Sequence, residues 1–249
     1  MNNTVLYEQR GKVAIISLNR PESYNTITKD LVDGITASIL KAEQDDSVHV
    51  MILTGSGDKS FCAGLDLKVL SSNPSAMSDD TPMLKAFANR KKPLIGAVNG
   101  YAVTGGFEIA LMCDLLYASD NAVFSDTHCK VGLIPGWGLS QRLGRLIGYG
   151  RAKEISLTGK KIDAQTALAW GLVNRIFPQE QLLDEAIALA NDMAQHHPKM
   201  IQGIRHVIDT GANMSLEEAI AYEYQASRAH NSSLDYSGMT DKLNQMRGR

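Results

Sequence analysis

The stretch Ala102-Val-Thr-Gly-Gly-Phe-Glu-Ile-Ala-Leu-Met-Cys-Asp114 decides how the rest of the chain is read. It follows a short apolar run, Pro93–Val98, that has the length and composition of a buried strand. Gly105 and Gly106 close a loop, and Phe107–Cys113 then reads as a helix. Strand, glycine loop and helix in that order form the repeating unit of an α/β fold.

The same alternation extends outward. Val5–Glu8 and Val13–Leu18 flank a turn at Arg10-Gly11 and read as a hairpin. Thr28–Ala42 places Leu31, Ile35 and Ile39 at helical spacing, and His49–Leu53 is a second buried strand. Phe61–Leu67 reads as irregular, Ser71–Pro82 as a flexible loop and Leu84–Asn89 as a short helix. Beyond the central stretch, Leu115–Ala118 and Val123–Phe124 read as strands, and Leu139–Leu146 and Asp163–Trp170 as helices. From Gln181 onward the pattern is helical: Leu182–Ala194, Lys199–Ile208 and Leu216–Ala229. The expected fold class is therefore α/β, with a large unit over residues 1–195 carrying the active site and a helical region over 196–249.

Composition narrows the function classes. A chain of 249 residues that is 44% hydrophobic can enclose a ligand pocket. A net charge of −2 gives no global basic field for nucleic acid or anionic lipid. The short basic run Arg90-Lys91-Lys92 reads as a solvated helix end, so no nucleic-acid partner is expected. Cys62, Cys113 and Cys129 lack CxxC spacing, which speaks against a disulfide framework or a structural zinc site and suits a reducing, cytoplasmic setting. The polar start MNNTVLYEQRGK offers no secretory signal, and Phe107–Tyr117 is too short and too often interrupted to span a bilayer, so no membrane partner is expected.

Several familiar patterns fail. Gly55-Ser-Gly57 follows a strand, but residue 60 is Ser, where a dinucleotide-binding loop needs glycine, and Asp58 breaks the phosphate-loop pattern before Lys59. There is no GxSxG elbow. His196-His197 precedes Pro198 without a carboxylate at metal spacing and reads as a helix end, so no metal is expected.

Ala102–Asp114 itself carries a chemical pattern. Glycines before a helix bare backbone N–H groups to a ligand, and the helix N-terminus favours negative charge. Glu108 lies three residues after Gly105 on the same helix face. A carboxylate beside N–H donors is the equipment for moving a proton α to a carbonyl while an oxyanion is held. A glutamate in a first helical turn is also ordinary dipole stabilisation, so spacing alone leaves both readings open.

The longer string from Lys92 through Pro-Leu-Ile-Gly-Ala-Val-Asn-Gly-Tyr-Ala-Val to Asp114 closely resembles the signature of the enoyl-CoA hydratase/isomerase family, the crotonases. Asn19-Arg-Pro-Glu-Ser-Tyr-Asn25 resembles the family's NRP…N element, and Ser60-Phe-Cys-Ala-Gly-Leu-Asp-Leu67 its FxAGxD loop. Gly132–Gly136, Gln141–Leu143, Leu157–Gly159 and Gly171–Val173 resemble its later landmarks. The resemblance implies a crotonase-like repeated β-β-α spiral core and C-terminal helices that build a homotrimer or a dimer of trimers. It implies an enzyme of fatty acid metabolism, with an acyl-CoA substrate and no permanently bound cofactor, coenzyme A entering as part of the substrate. An oxyanion hole would come from the N–H groups of Leu65 and Gly105, and coenzyme A contacts from Ala63, Asp66, Lys68 and Tyr24.

One departure bears on the reaction. Hydratases of the family use two glutamates; the first matches Glu108, and His128 stands at the place of the second. Histidine titrates near neutrality and can serve as acid or base. Asp126 would orient His128 if the local chain turns and would point away if it is extended. Trp137 reads as packing. The leading expectation is reversible hydration of a 2-enoyl-CoA with Glu108 and His128 as catalytic groups. Double-bond isomerisation by Glu108 alone is the alternative enzyme, and a non-catalytic CoA-binding scaffold the alternative of another class.

Overall fold

A computed structural model describes residues 3–72 and 80–232. β1 (Val5–Arg10) and β2 (Val13–Leu18) form the antiparallel hairpin. α1 (Lys29–Gln44) follows, its first turn capped by the Thr28 hydroxyl accepting from Leu31 N–H. The chain then runs through β3 (Val50–Gly55), β4 (Ser60–Cys62), α2 (Leu67–Ser72) and α3 (Thr81–Asn89). Residues 73–79 of the expected loop lie outside the described residues. Next come β5 (Leu94–Val98), β6 (Tyr101–Val103), α4 (Gly105–Ala110), β7 (Leu115–Ser119), β8 (Val123–Ser125) and α5 (His128–Val131). α6 (Leu139–Ile147), α7 (Tyr149–Thr158), β9 (Lys161–Asp163), α8 (Ala164–Ala169) and β10 (Arg175–Phe177) lead to three helices, α9 (Leu182–Ala194), α10 (Pro198–Gly211) and α11 (Leu216–Asn231).

From β3 to β8, successive strands alternate between two sheets. One is six-stranded in the order β1-β2-β3-β5-β7-β10; the other is four-stranded in the order β4-β6-β8-β9. The three turns that begin with β3, β5 and β7 each set one strand in the first sheet, one in the second, and then a helical connection. This is the repeated β-β-α spiral. Beyond the hairpin the first sheet is parallel, and it is covered on both faces. Val13, Ile15, Val50, Ile52 and Ile95 face Ala186, Ala190 and Ala194 of α9. Ala14, Ile16, Met51 and Leu53 face the larger core that holds Leu31, Ile35 and Ile39 of α1. Burial on both faces explains why β3 reads as an unbroken apolar run rather than an alternating one.

The described residues form two compact units, divided after Ile201. In the second, α11 begins with a reciprocal capping box between Ser215 and Glu218. No helix among the described residues is long and apolar enough to cross a membrane.

The reading of the basic run as solvated changes. Arg90 and Lys92 are buried rather than solvated. The Arg90 guanidinium donates to the carbonyls of Phe87 and Met112 and pairs with Asp114 at 2.6 Å. Lys92 Nζ donates to the carbonyls of Ala42 and Asp45, satisfying the end of α1. Asp114, the last residue of the decisive stretch, also accepts Leu94 N–H at 2.7 Å, which makes it a fastener between α3 and β5.

Candidate active site

The three parallel strands of the second sheet, β4, β6 and β8, end side by side. The loop after each carries one part of the site, as ligand sites do in open α/β sheets. After β4 come Ala63, Gly64 and Leu65; after β6, Thr104 and Gly105; after β8, Asp126, Thr127 and His128.

The middle loop is drawn tight. Thr104 has φ 52° and ψ −114°, a sparsely populated conformation for a residue with a Cβ that costs ~1–3 kcal/mol. It is held there by its N–H on the Ser125 carbonyl at 2.9 Å and by a 2.5 Å hydroxyl–hydroxyl contact with Thr127. The kink turns β6 directly into α4, so Gly105 is the first helical residue. A Cβ on Gly106 would collide with the Cys62 carbonyl oxygen, so only glycine lets α4 lie this close on β4. The Gly64 and Gly105 loops touch, since a Cβ on Gly105 would lie 3.9 Å from Gly64 Cα. Among the described residues, neither the Leu65 nor the Gly105 N–H has a hydrogen-bond acceptor.

Glu108, one turn into α4, is buried. Its Oε1 accepts two backbone N–H groups, from Trp137 at 2.8 Å and Leu139 at 3.2 Å. Its Oε2 faces His128 Nε2 at 3.7 Å. Burial pushes the Glu108 carboxyl above the ordinary carboxylate range; the two N–H donors and His128 oppose the rise, and the nearby Asp126 charge adds to it. His128 Nδ1 in turn lies 2.6 Å from Asp126 Oδ1, which also accepts the His128 backbone N–H at 3.1 Å. The local chain is thus the turn that brings Asp126 to His128, and the three side chains form one buried row, Asp126–His128–Glu108.

Trp137 does more than pack. Besides its N–H on Glu108, its indole N–H donates to Asp80, and its carbonyl accepts from Arg142 at 2.6 Å. Its ring lies 3.4 Å from where a Gly105 Cβ would stand, so it walls the site beside the candidate oxyanion donor. The roles of Trp137 and Leu139 have no signature in the sequence, because a backbone N–H is the same group at every position except proline.

Three of the four expected coenzyme A contacts lie on the loop after β4 and the start of α2, and the fourth, Tyr24, is hydrogen-bonded to that loop. Tyr24 is exposed in a left-handed conformation, and its carbonyl accepts Ala63 N–H at 3.0 Å. Asp66 is fully engaged. Its Oδ2 takes Arg20 at 3.1 Å and the Thr26 hydroxyl at 3.2 Å, and its Oδ1 takes the N–H groups of Lys68 and Val69. It shapes the loop and starts α2, and it has no free oxygen to offer a ligand. Lys68 is exposed on α2. The thiols of Cys62 and Cys113 are pushed up to about 12 by burial and are poor nucleophiles. Among the described residues, no cluster of three or more His, Cys, Asp or Glu side chains is arranged to hold a metal.

Compared with known proteins, the chain matches the family model described as enoyl-CoA hydratase/isomerase over residues 8–243. It is 37% identical over 235 residues to a protein of Arabidopsis thaliana named probable enoyl-CoA hydratase 1, peroxisomal, covering 94% of this chain and 86% of that one. It is 36% identical over 229 residues to the short-chain-enoyl-CoA hydratase of Clostridium acetobutylicum, covering 90% and 88%. Among solved structures, an enoyl-CoA hydratase from Bacillus anthracis aligns with a TM-score of 0.91 at 31% identity, over 98% of this chain and 96% of that one.

Proposed function

This chain belongs to the enoyl-CoA hydratase/isomerase family, and from that premise we propose that it adds water reversibly across the double bond of a 2-enoyl-CoA thioester, a reaction of lipid metabolism. The observation that carries this reading is the Glu108 carboxylate: buried, pinned through Oε1 by two backbone N–H groups, with Oε2 aimed at His128 Nε2. A pinned carboxylate with one free oxygen is placed to move a proton at the α-carbon. A second proton-carrying side chain 3.7 Å away suits water addition, which needs an acid and a base at neighbouring carbons. Relatives named as enoyl-CoA hydratases support the same reading.

The thioester oxygen takes the N–H groups of Leu65 and Gly105 as its oxyanion hole, and Tyr24, Ala63 and Lys68 line the coenzyme A side of the entrance. No permanently bound cofactor enters the scheme. Assembly as a homotrimer or a dimer of trimers in the cytoplasm completes the proposal. Association of copies is supported by Leu216, Ile220 and Tyr224, which form an exposed apolar stripe at four-residue spacing on α11.

The test supplies purified protein with short- and medium-chain 2-enoyl-CoA and 3-enoyl-CoA. Loss of the enoyl-thioester absorbance from the 2-enoyl substrates is the expected result. Absorbance gained from a 3-enoyl substrate, without hydration of the 2-enoyl form, would replace this reading with isomerisation. Tight acyl-CoA binding without turnover would replace it with a scaffold.

A further inference from the structure

The surroundings of Asp126 are unusual. It is fully buried and adjoins a second buried carboxylate, Glu108, across the His128 ring. Oδ1 receives both the backbone N–H and Nδ1 of His128, whereas Oδ2 is buried without a hydrogen-bond partner among the described residues. A buried carboxylate oxygen left unmatched costs stability, so packing alone would favour a neutral residue at this position. The geometry points instead to control of the imidazole.

With Asp126 as a carboxylate, which only accepts hydrogen bonds, the 2.6 Å contact calls for the proton on His128 Nδ1. In the neutral ring Nε2 is then bare and carries its lone pair toward Glu108 Oε2. At 3.7 Å the two atoms are too far apart to bond each other, yet both can reach one oxygen placed between them. We propose that Asp126 is a positioning residue that holds His128 in the Nδ1–H tautomer, so that Nε2 and Glu108 address the same reacting water. This rests on the hydratase reading and completes its proton count.

In the hydration direction, the water O–H bond breaks and its proton goes to Nε2. The water oxygen bonds to the β-carbon, and the C=C π pair moves onto the α-carbon and thioester oxygen as an enolate. The protonated Glu108 carboxyl then gives its proton to the α-carbon, and the next water to enter between the two groups relays the proton on Nε2 back to Glu108 Oε2. The Glu108–His128 pair holds one proton before and after the reaction. Activity therefore falls when the pair holds none or two, which gives a bell-shaped pH profile. The charged groups facing the pair are Asp126 ahead of α5 and Arg142 on α6, whose guanidinium senses the Glu108 charge. Lys130, on α5 itself, is turned to the Gly159 carbonyl at 2.7 Å.

The experiment has two arms. Long-range ¹H–¹⁵N spectra of ¹⁵N-histidine-labelled protein at neutral pH should show His128 protonated at Nδ1, with Asp126→Asn altering that state. In the same Asp126→Asn variant, kcat should fall ~10–100-fold with KM little changed. Both limbs of its pH profile should move to lower pH, because a negative charge beside Glu108 and the imidazolium has been removed. A purely structural role would leave both the tautomer and the limbs where they are. A wild-type His128 protonated at Nε2 overturns the proposal even if Asp126→Asn does not fold, as does an unshifted profile in a folded variant. If neither wild type nor variant turns over 2-enoyl-CoA while the Nδ1–H tautomer is present, it is the hydratase reading that fails.

Discussion

In the six-stranded sheet every residue of β3 and β5 is buried, whereas β6 in the four-stranded sheet buries only the middle one of its three. The first sheet has α9 on one face and α1 on the other. The second is made of three-residue strands, and the loops at their ends hold Thr104 in a strained conformation and two buried carboxylates around one imidazole. The long, unbroken apolar strands lie in the first sheet, and unfavourable local structure lies at the end of the second. The large core supplies the stability that lets the small sheet carry strain and buried charge, an arrangement common at functional sites.

Glu108→Gln tests this division most severely. The amide oxygen can still accept the Trp137 and Leu139 N–H groups, so the fold should persist, while the proton-transfer group is gone. Turnover of 2-enoyl-CoA should fall by about 10³-fold, equivalent to ~4 kcal/mol of barrier, with the melting temperature unchanged or higher. A variant that retains its rate, or that loses activity only by unfolding, breaks the comparison.

Ile52→Ala in β3 should behave in the opposite way. Ile52 is fully buried between strands and α9, and its truncation leaves a cavity. Unfolding free energy should drop by ~2–5 kcal/mol, measured by urea titration, while turnover per folded molecule stays the same. A loss of rate in the folded fraction would show that the two sheets are less independent than their burial suggests.

Legibility in the sequence follows the same line. β2, β3 and β5 are readable because runs buried on both faces are long and apolar. β4, β6, β9 and β10 are not, since three residues are too few to display a period. α7 lies among Gly148, Gly150 and Gly159, which mask its helical pattern. In the site, Glu108 stands out as a lone charge in an apolar run, and His128 as a departure from a familiar pattern. Asp126 depends on whether the chain turns there, which only the structure decides. The N–H groups that fix Glu108 and the burial of Arg90 and Lys92 arise from partners distant in sequence, so no local pattern contains them.

The buried charge makes a smaller, pH-dependent prediction. Because burial raises the Glu108 carboxyl, folding favours its protonated form. Its contribution to stability is complete below the ordinary carboxylate pKa of about 4.5 and is lost as pH rises through the raised value. Each pH unit between the ordinary and the raised value is worth ~1.4 kcal/mol. The stability of wild type relative to Glu108→Gln should therefore decline as pH is raised from about 4.5, then level off. Urea titrations at a series of pH values check this. A relative stability that rises with pH would mean that the N–H donors and His128 outweigh burial.

The smallest expected effect concerns the strain itself. Thr104→Gly removes a Cβ from a backbone conformation that glycine adopts freely, a gain of ~1–3 kcal/mol. It also removes the hydroxyl that meets Thr127 and accepts the Thr127 N–H at 3.3 Å, a loss of ~0.5–1.5 kcal/mol, and adds ~0.5–1 kcal/mol of unfolded-chain entropy. These terms nearly cancel, so the midpoint in urea should move by no more than about 1 kcal/mol equivalent in either direction. A clear stabilisation would show that the strained turn is kept at the expense of stability to aim the Gly105 N–H. A loss above ~3 kcal/mol would show instead that the two threonines are a principal clamp between β6 and β8, so that the small sheet carries more of the fold's stability than its burial implies.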